Sequence, residues 1–247
     1  NAVLFEGRQV LKAKDLQEMD TDASGTIQVK NRELSLRRAR DVVKKMAYGA
    51  EFAVLGVESQ KNIHYAMPLR TLLYDGLGYL KEYQELADLR KGANGVMTKD
   101  EFLSRMRRED RLHPIITIVV YYSEKSWDGP RCLRDMMAEM PVEMEKAFSD
   151  YKMNLIQVRE SEKYVFCNED VRTVFEISRE LFRGNFQIIR EKYKDVALPS
   201  ELLAVIGSIT DSKELVSQAQ EGEVQNMCTA LENLKKEGVR EGIQQGI

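Results

Sequence analysis

Phe52-Ala53-Val54-Leu55-Gly56-Val57-Glu58-Ser59-Gln60 is an apolar run that closes in an acid, a hydroxyl and an amide. A strand with one solvated face alternates polar and apolar residues, so apolar continuity over 52–58 predicts a strand buried on both faces. Glu58 and Gln60 stand two apart on it and point to the same side, whereas Lys61 turns to the other and reads as structural or solvent-exposed. Downstream, Tyr65-Ala66-Met67-Pro68-Leu69-Arg70 opens a helix, because Pro68 suits a first turn in which its missing N–H is no loss. Upstream, Asp41 lies seventeen residues before Glu58.

Along the helix, Leu69, Leu73, Gly76, Leu80 and Tyr83 keep a four-three spacing and predict one buried stripe. Arg70, Tyr74 and Leu77 form a neighbouring stripe that faces the end of the preceding strand. Working outward, residues 8–19 read as a short helix, and 20–34 as a polar loop around a strand at Thr26-Ile27-Gln28-Val29. Over 34–46, Leu34, Leu36, Val42, Val43 and Met46 hold neither period and are read as helix passing into strand. Gly92 to Gly95 marks a loop, and a helix at 98–109 leads through His113-Pro114 into Ile115-Ile116-Thr117-Ile118-Val119-Val120-Tyr121-Tyr122. That strand is the strongest in the chain and belongs in the middle of a sheet. Trp127-Asp128-Gly129-Pro130 is a turn, 131–149 a helix, and Asn154-Leu155-Ile156-Gln157-Val158 a further strand.

Beyond 166 the pattern is helical and acidic, ending in a tail with glycine at every fourth residue. Its stripe Val239, Ile243, Ile247 must lean on something and offers a homodimer contact. Strands alternating with helices and followed by a helical end define an α/β protein. A core with a mixed sheet flanked by helices is expected over 1–165, and a helical C-terminal extension over 166–247.

The 247 residues leave room for a domain of about 150 residues and an appendage. Hydrophobic residues at 43% and charged residues at 31% are those of an ordinary soluble globular protein. No apolar run approaches the roughly 20 residues of a membrane helix, and nothing resembles a signal peptide. The chain begins at Asn1 rather than Met, so a first helix is expected to be missing. Cys132, Cys167 and Cys228 are odd in number and never in a C-x-x-C pair, which argues against disulfides and structural zinc and for the reducing cytoplasm. A net charge of −3 weighs against a protein that coats nucleic acid. Lys30, Arg32, Arg37, Arg38, Arg40, Lys44 and Lys45 nevertheless outnumber Glu33 and Asp41 locally. That cluster suits phosphates, or is a solvated helix face.

Hydrolysing a phosphodiester requires an activated water and an anionic phosphate made tolerable to attack, and a hard divalent cation serves both. Magnesium takes oxygen ligands and is commonly held by one or two carboxylates with waters and substrate oxygens. Asp41 and Glu58 on adjacent strands would meet that need, with the Ser59 carbonyl as a third ligand and the Gln60 amide orienting water or a phosphate oxygen.

An acid, then a strand ending acid-x-amide, then a helix carrying Arg and Tyr is the layout of a PD-(D/E)XK (restriction-endonuclease-like) nuclease. Arg40-Asp41-Val42-Val43, Leu55-Gly56-Val57-Glu58-Ser59-Gln60, Tyr65-Ala66-Met67-Pro68-Leu69-Arg70 with Tyr74-Asp75-Gly76, and Trp127-Asp128-Gly129-Pro130 together resemble the Rpn family of that superfamily. These are recombination-promoting nucleases, also described as transposases. The similarity covers about 1–165 and is most specific over 54–76; the glycine-punctuated tail is also like the family's C-terminus. The resemblance implies cleavage of DNA dependent on magnesium or manganese. It assigns metal binding to Asp41 and Glu58 and the polar third position to Gln60, and it suggests Arg70 and Tyr74 as supporting residues. Gln60 departs from the superfamily, most of which has lysine there; a neutral amide lacks the charge that stabilises the transition state and implies slower turnover.

Other motifs are incomplete. Asp20-Thr21-Asp22-Ala23-Ser24-Gly25-Thr26-Ile27 copies the first eight positions of an EF-hand loop, but its twelfth is Asn31 in place of the bidentate Glu. The stretch therefore reads as a turn. A second near-match ending at Glu101-Phe102 has Arg90 and Gly92 where chelating residues belong. Gly76-x-Gly78 falls inside a helix rather than after a strand, which argues against nucleotide binding. His64 and His113, the two histidines, make a poor metal pair, and Trp127 reads as a core or rim aromatic. Three functions follow in order: a cytoplasmic DNA endonuclease; a nuclease-fold protein that binds DNA or a partner without efficient cutting; and a calcium-binding module through the Asp20 loop.

Overall fold

The protein is mixed α/β, and its computed structural model describes residues 1–12, 14, 16–18, 22–29, 32–39, 42–48, 51–91, 97–194, 196–221 and 224–226, with the backbone alone for those among 17–59, for 221 and for 224–226. Strand β1 (Leu16–Glu18) pairs antiparallel with β4, Leu16 lying opposite Met46. No α-helix stands at 8–19 among the described residues; over 16–18 backbone hydrogen bonds to a neighbouring strand outweigh so weak a local preference. Strands β2 (Asp22–Val29) and β3 (Arg32–Ala39) form a separate two-stranded antiparallel sheet, in register from Asp22 opposite Ala39 to Val29 opposite Arg32. This corrects two expectations. Asp22–Gly25 is extended rather than the turn of an EF-hand-like loop, and 34–46 contains no helix among its described residues.

β4 (Val42–Tyr48) and β5 (Glu51–Gln60) continue antiparallel, and the larger sheet has the order β1-β4-β5-β6-β7. The strand expected at 52–58 is therefore present and runs slightly longer. Helix α1 (Met67–Lys91) places Pro68 in its first turn as expected, but its buried face is not the leucine stripe. Leu69 and Leu73 are exposed, while Met67, Thr71, Tyr74, Asp75 and Leu77 are buried. The polar members of that face are tolerated because they are hydrogen-bonded: the Thr71 hydroxyl donates to the Met67 carbonyl at 3.1 Å.

Helix α2 (Lys99–Ser104) starts on a reciprocal cap, Thr98 Oγ1 accepting from the Glu101 N–H and Glu101 Oε2 accepting from the Thr98 N–H. It stops at Arg105, whose φ of 54° is left-handed, and so falls short of the expected end at 109. Strand β6 (Ile115–Tyr121) is buried along most of its length and lies between β5 and β7, in the sheet interior as its apolar run required. Gly78 of α1 brings the helix close to β6: a Cβ there would meet Ile115 Cδ1 at 2.5 Å. The expected helix over 131–149 is reduced to a 3-10 turn at Arg134–Met136 and the single turn α3 (Val142–Glu145). Carboxylates capture the backbone donors instead, Asp135 accepting from the N–H groups of Arg131 and Cys132, and Asp150 from that of Arg134. Strand β7 (Asn154–Gln157) follows.

Helices α4 (Glu169–Arg183) and α5 (Phe186–Lys192), strand β8 (Ala197–Pro199), helices α6 (Ser200–Thr210) and α7 (Lys213–Glu221) and strand β9 (Val224–Asn226) complete the described chain. Asn168 caps α4 by accepting from the Val171 N–H at 2.8 Å, and Gly184 ends it in a left-handed conformation that glycine adopts without a Cβ penalty. Val174, Ile177, Ile189, Tyr193, Leu198, Leu203, Ile206 and Leu215 form one buried cluster among these elements. The polar tail at 227–247, with its proposed dimer stripe, lies outside the described residues, as do the Gly92–Gly95 loop and Asp41.

The chain divides into two compact units. One comprises Leu11–Val120 and Asp128–Leu155 and holds α1 and most of the larger sheet; the other comprises Asn1–Val10, Tyr121–Trp127 and Ile156–Ile247. Within the second, Trp127 is buried edge-to-face on Tyr121 with centroids 5.1 Å apart, and its backbone N–H donates to Gln157 Oε1 at 2.6 Å. It is a core residue, in keeping with its expected role.

Candidate functional site

β5 carries Glu58, Ser59 and Gln60 at its C-terminal end, and the linker 61–66 turns directly into α1. The His64 carbonyl accepts the Met67 N–H at 2.9 Å, which begins the helix before Pro68. On the other side of β5, β4 runs antiparallel with Val42 opposite Val57. Val42 follows Asp41 in the chain and Val57 precedes Glu58, so the first residue of β4 and the residue before Glu58 stand side by side in the sheet. Asp41 itself is outside the described residues, as are the side chains of Glu58 and Ser59; Gln60 is half-buried.

Arg70 and Tyr74 are brought together. One helical turn apart on α1, they meet through a hydrogen bond from Arg70 Nε to the Tyr74 hydroxyl at 2.7 Å. The guanidinium carbon lies 5.4 Å from the Tyr74 ring centroid, within the range of a cation–π contact. Tyr74 is buried and Arg70 half-buried, so the ring supports a guanidinium that keeps contact with solvent.

Residue-type reasoning missed the polar group beside this pair. Asp75 is buried, yet its carboxylate accepts from Thr117 Oγ1 at 2.6 Å and from the Tyr151 hydroxyl at 2.5 Å. Asn154 Nδ2 adds a bond to the Thr117 carbonyl at 3.0 Å. The network ties α1 to β6 and to the segment entering β7. A signal for it exists in the sequence: Thr117 is the one hydroxyl inside an aliphatic strand, and a buried hydroxyl needs a partner.

The remaining candidates fall apart from this region or from each other. Lys61 is exposed, as expected. His64 is exposed, whereas His113 bonds Glu82 through its ring Nδ1 and through its backbone N–H, so it anchors the entry to β6. In the basic stretch, Arg32, Arg37 and Arg38 lie on β3 and Lys44 and Lys45 on β4, so among the described residues it is not a helix face. Among the described residues no group of three or more His, Cys, Asp and Glu side chains is placed to hold a metal ion. Among them, too, no helix is long and apolar enough to cross a membrane.

No protein-family model, curated protein or solved structure matches the chain.

Proposed function

We propose that the chain is a metal-dependent DNA endonuclease, a hydrolase of phosphodiester bonds with a PD-(D/E)XK core of the Rpn type, associated with recombination or transposition. The observation that supports this reading is the pairing of Val42 with Val57, which sets the first residue of β4 beside the residue that precedes Glu58 on β5. That register suits two carboxylates, Asp41 and Glu58, holding magnesium or manganese with the Ser59 carbonyl. When bound, such an ion lowers the pKa of a water and neutralises charge on the phosphate. Gln60 orients that water through its amide. Arg70, braced by Tyr74, presents a fixed cation to a phosphate oxygen, and fixed donors stabilise developing charge better than mobile ones. The exposed Cys167 and half-buried Cys132 are free thiols, which suits a reducing cytoplasm.

Gln60 also favours a second reading, a nuclease fold that binds DNA or a protein partner and cuts poorly, because a neutral amide stands where a lysine charge is usual. Nicking of supercoiled plasmid decides between them. The first reading expects magnesium-dependent nicking by the wild type that is abolished by chelation and by Glu58→Ala. Equal nicking by wild type and variant overturns it; DNA retention without nicking supports the second.

A further inference from the structure

The segment that follows α2 uses Glu101 and Asp110 internally and leaves Arg105 and Arg108 exposed. Glu101 Oε2 accepts from the Thr98 N–H and hydroxyl, while Glu101 Oε1 accepts from the Arg108 N–H at 3.2 Å. Asp110 Oδ2 accepts from the Arg107 N–H at 2.8 Å, and both of its oxygens engage the Arg90 guanidinium of α1. Tyr83 of α1 donates its hydroxyl to the Ser104 carbonyl at 2.9 Å, and Arg111 Nη1 folds back onto the carbonyls of Arg108 and Asp110. The loop is therefore tied to α1 at both ends. By contrast, no hydrogen bond or ion pair engages the guanidinium of Arg105, Arg107 or Arg108 among the described residues; Arg105 and Arg108 are exposed, while Arg107 is half-buried and its charge also acts on Glu101 and Asp110. Arg105 takes its direction from a left-handed backbone, φ 54°. Three and two residues before it stand Phe102 and Leu103, 72% and 69% exposed. Asp88, Asp100 and Glu109 are the exposed acids nearby, and Asp88 is engaged by Lys91.

We infer that Phe102, Arg105, Arg107 and Arg108 form a docking surface for a single strand of nucleic acid, with the three guanidiniums on successive phosphates and the Phe102 ring under an unpaired base. Arginine's planar fork matches phosphate oxygens, and it carries its charge at every accessible pH. An exposed aromatic beside a basic track is the arrangement by which sequence-neutral single-strand binders hold bases, and a ring has no base face to stack on in an intact duplex. A lipid surface fits less well: α2 has six residues, too few for the extended apolar face with which an interfacial helix enters a bilayer. The choice of nucleic acid rests on the endonuclease reading above, to which it adds a strand-binding surface outside the β5–α1 region.

The test uses the full chain in excess chelator, so that no cleavage is involved, and follows the anisotropy of a labelled oligothymidylate and of a duplex of equal length. Arg105→Gln/Arg107→Gln/Arg108→Gln should melt within a few degrees of wild type, because these side chains make no internal hydrogen bonds and their charges act on mostly exposed carboxylates. It should lower the slope of log affinity against log salt by about 2, since each phosphate contact on a single strand contributes about 0.7. Phe102→Ala should weaken single-strand binding about ten-fold, as loss of one stacked base does, and leave duplex binding unchanged. Unaltered affinity and slope in both variants overturn the surface, as do absence of strand binding by the wild type and preferential capture by phosphatidylserine vesicles. Glu58→Ala should bind the strand like the wild type. Loss of binding in the surface variants without any magnesium-dependent nicking by the wild type upholds the surface and removes the nuclease; nicking with unaltered strand binding does the reverse.

Discussion

Arg70 donates its Nε–H to the Tyr74 hydroxyl at 2.7 Å, and Tyr74 is 1% exposed beneath it. The hydroxyl therefore holds a half-exposed cation at the start of the helix that follows Gln60. Tyr74→Phe keeps the buried ring and removes only the acceptor. Plasmid nicking should fall about ten-fold, equivalent to about 1.4 kcal/mol of transition-state stabilisation, with a melting temperature within a few degrees of wild type. Arg70→Gln should fall at least as far. Equal rates in all three proteins would reduce the pair to a packed helix surface.

Tyr151 reaches Asp75 across the first unit, and with Thr117 it supplies the carboxylate with two hydroxyl donors. Removing one donor leaves a buried acceptor less satisfied, which costs about 1–3 kcal/mol. Tyr151→Phe should therefore lower the urea midpoint, and Thr117→Val should do the same. Because both act on one carboxylate, the double variant should depart from additivity by more than about 0.5 kcal/mol. Additive losses would mean that the hydroxyls act separately.

The sequence was most legible where side-chain pattern alone determines the element. The aliphatic run of β6 and the apolar approach to Glu58 read as strands because nothing but burial explains such runs, and Pro68 marked the start of α1. The buried face of α1 was misread because hydrophobicity was followed: Thr71 and Asp75 enter the interior through hydrogen bonds whose partners are distant in sequence. Of the β2–β3 pair, Thr26–Val29 read as a strand but its partner did not, for a related reason. Arg32-Glu33-Leu34-Ser35-Leu36-Arg37-Arg38-Ala39 is polar, and what makes it a strand is the backbone pairing offered by Asp22–Val29. Over 131–149, charged residues suited to a helix instead spend Asp135 and Asp150 on backbone N–H groups. Of the candidate site, the Arg70–Tyr74 spacing was readable as a one-turn contact; Asp41 and the Glu58 and Ser59 side chains lie outside what the structure describes.

Two glycines of α1 separate helix propensity from packing. Gly76 is exposed, and a Cβ there has no neighbour within 4 Å. Gly76→Ala should stabilise the protein by about 0.5–1 kcal/mol through helix propensity. Gly78→Ala gains the same propensity but drives its Cβ to 2.5 Å from Ile115 Cδ1, so that Ile115 must shift. Its net gain should be smaller or negative. Gly78→Ala/Ile115→Val, which removes the obstructing methyl, should recover part of the difference in chemical denaturation. Equal gains from Gly76→Ala and Gly78→Ala would show that β6 yields freely.

Glu180 gives the second unit an acid-sensitive element. Burial pushes its carboxyl up, but hydrogen bonds from Asn185 Nδ2 and Arg179 Nε, each 2.8 Å, together with the Arg179 and Arg183 charges, leave it below the usual glutamate value. The folded chain thus holds this proton less tightly than the unfolded chain does. Its contribution to stability is complete above the unfolded value of about 4.3 and disappears as pH falls through the lower folded value. Glu180→Gln should accordingly be less stable than wild type at pH 7, and the difference should shrink as the wild type is taken below about pH 4. Urea midpoints across that range measure it, with Glu162→Gln as a comparison: Glu162 pairs with Arg183 at 2.6 Å but is half-exposed, so solvent screens it and its loss should matter less. A gap between wild type and Glu180→Gln that stays constant from neutral to acid pH would assign the effect to shape rather than to charge.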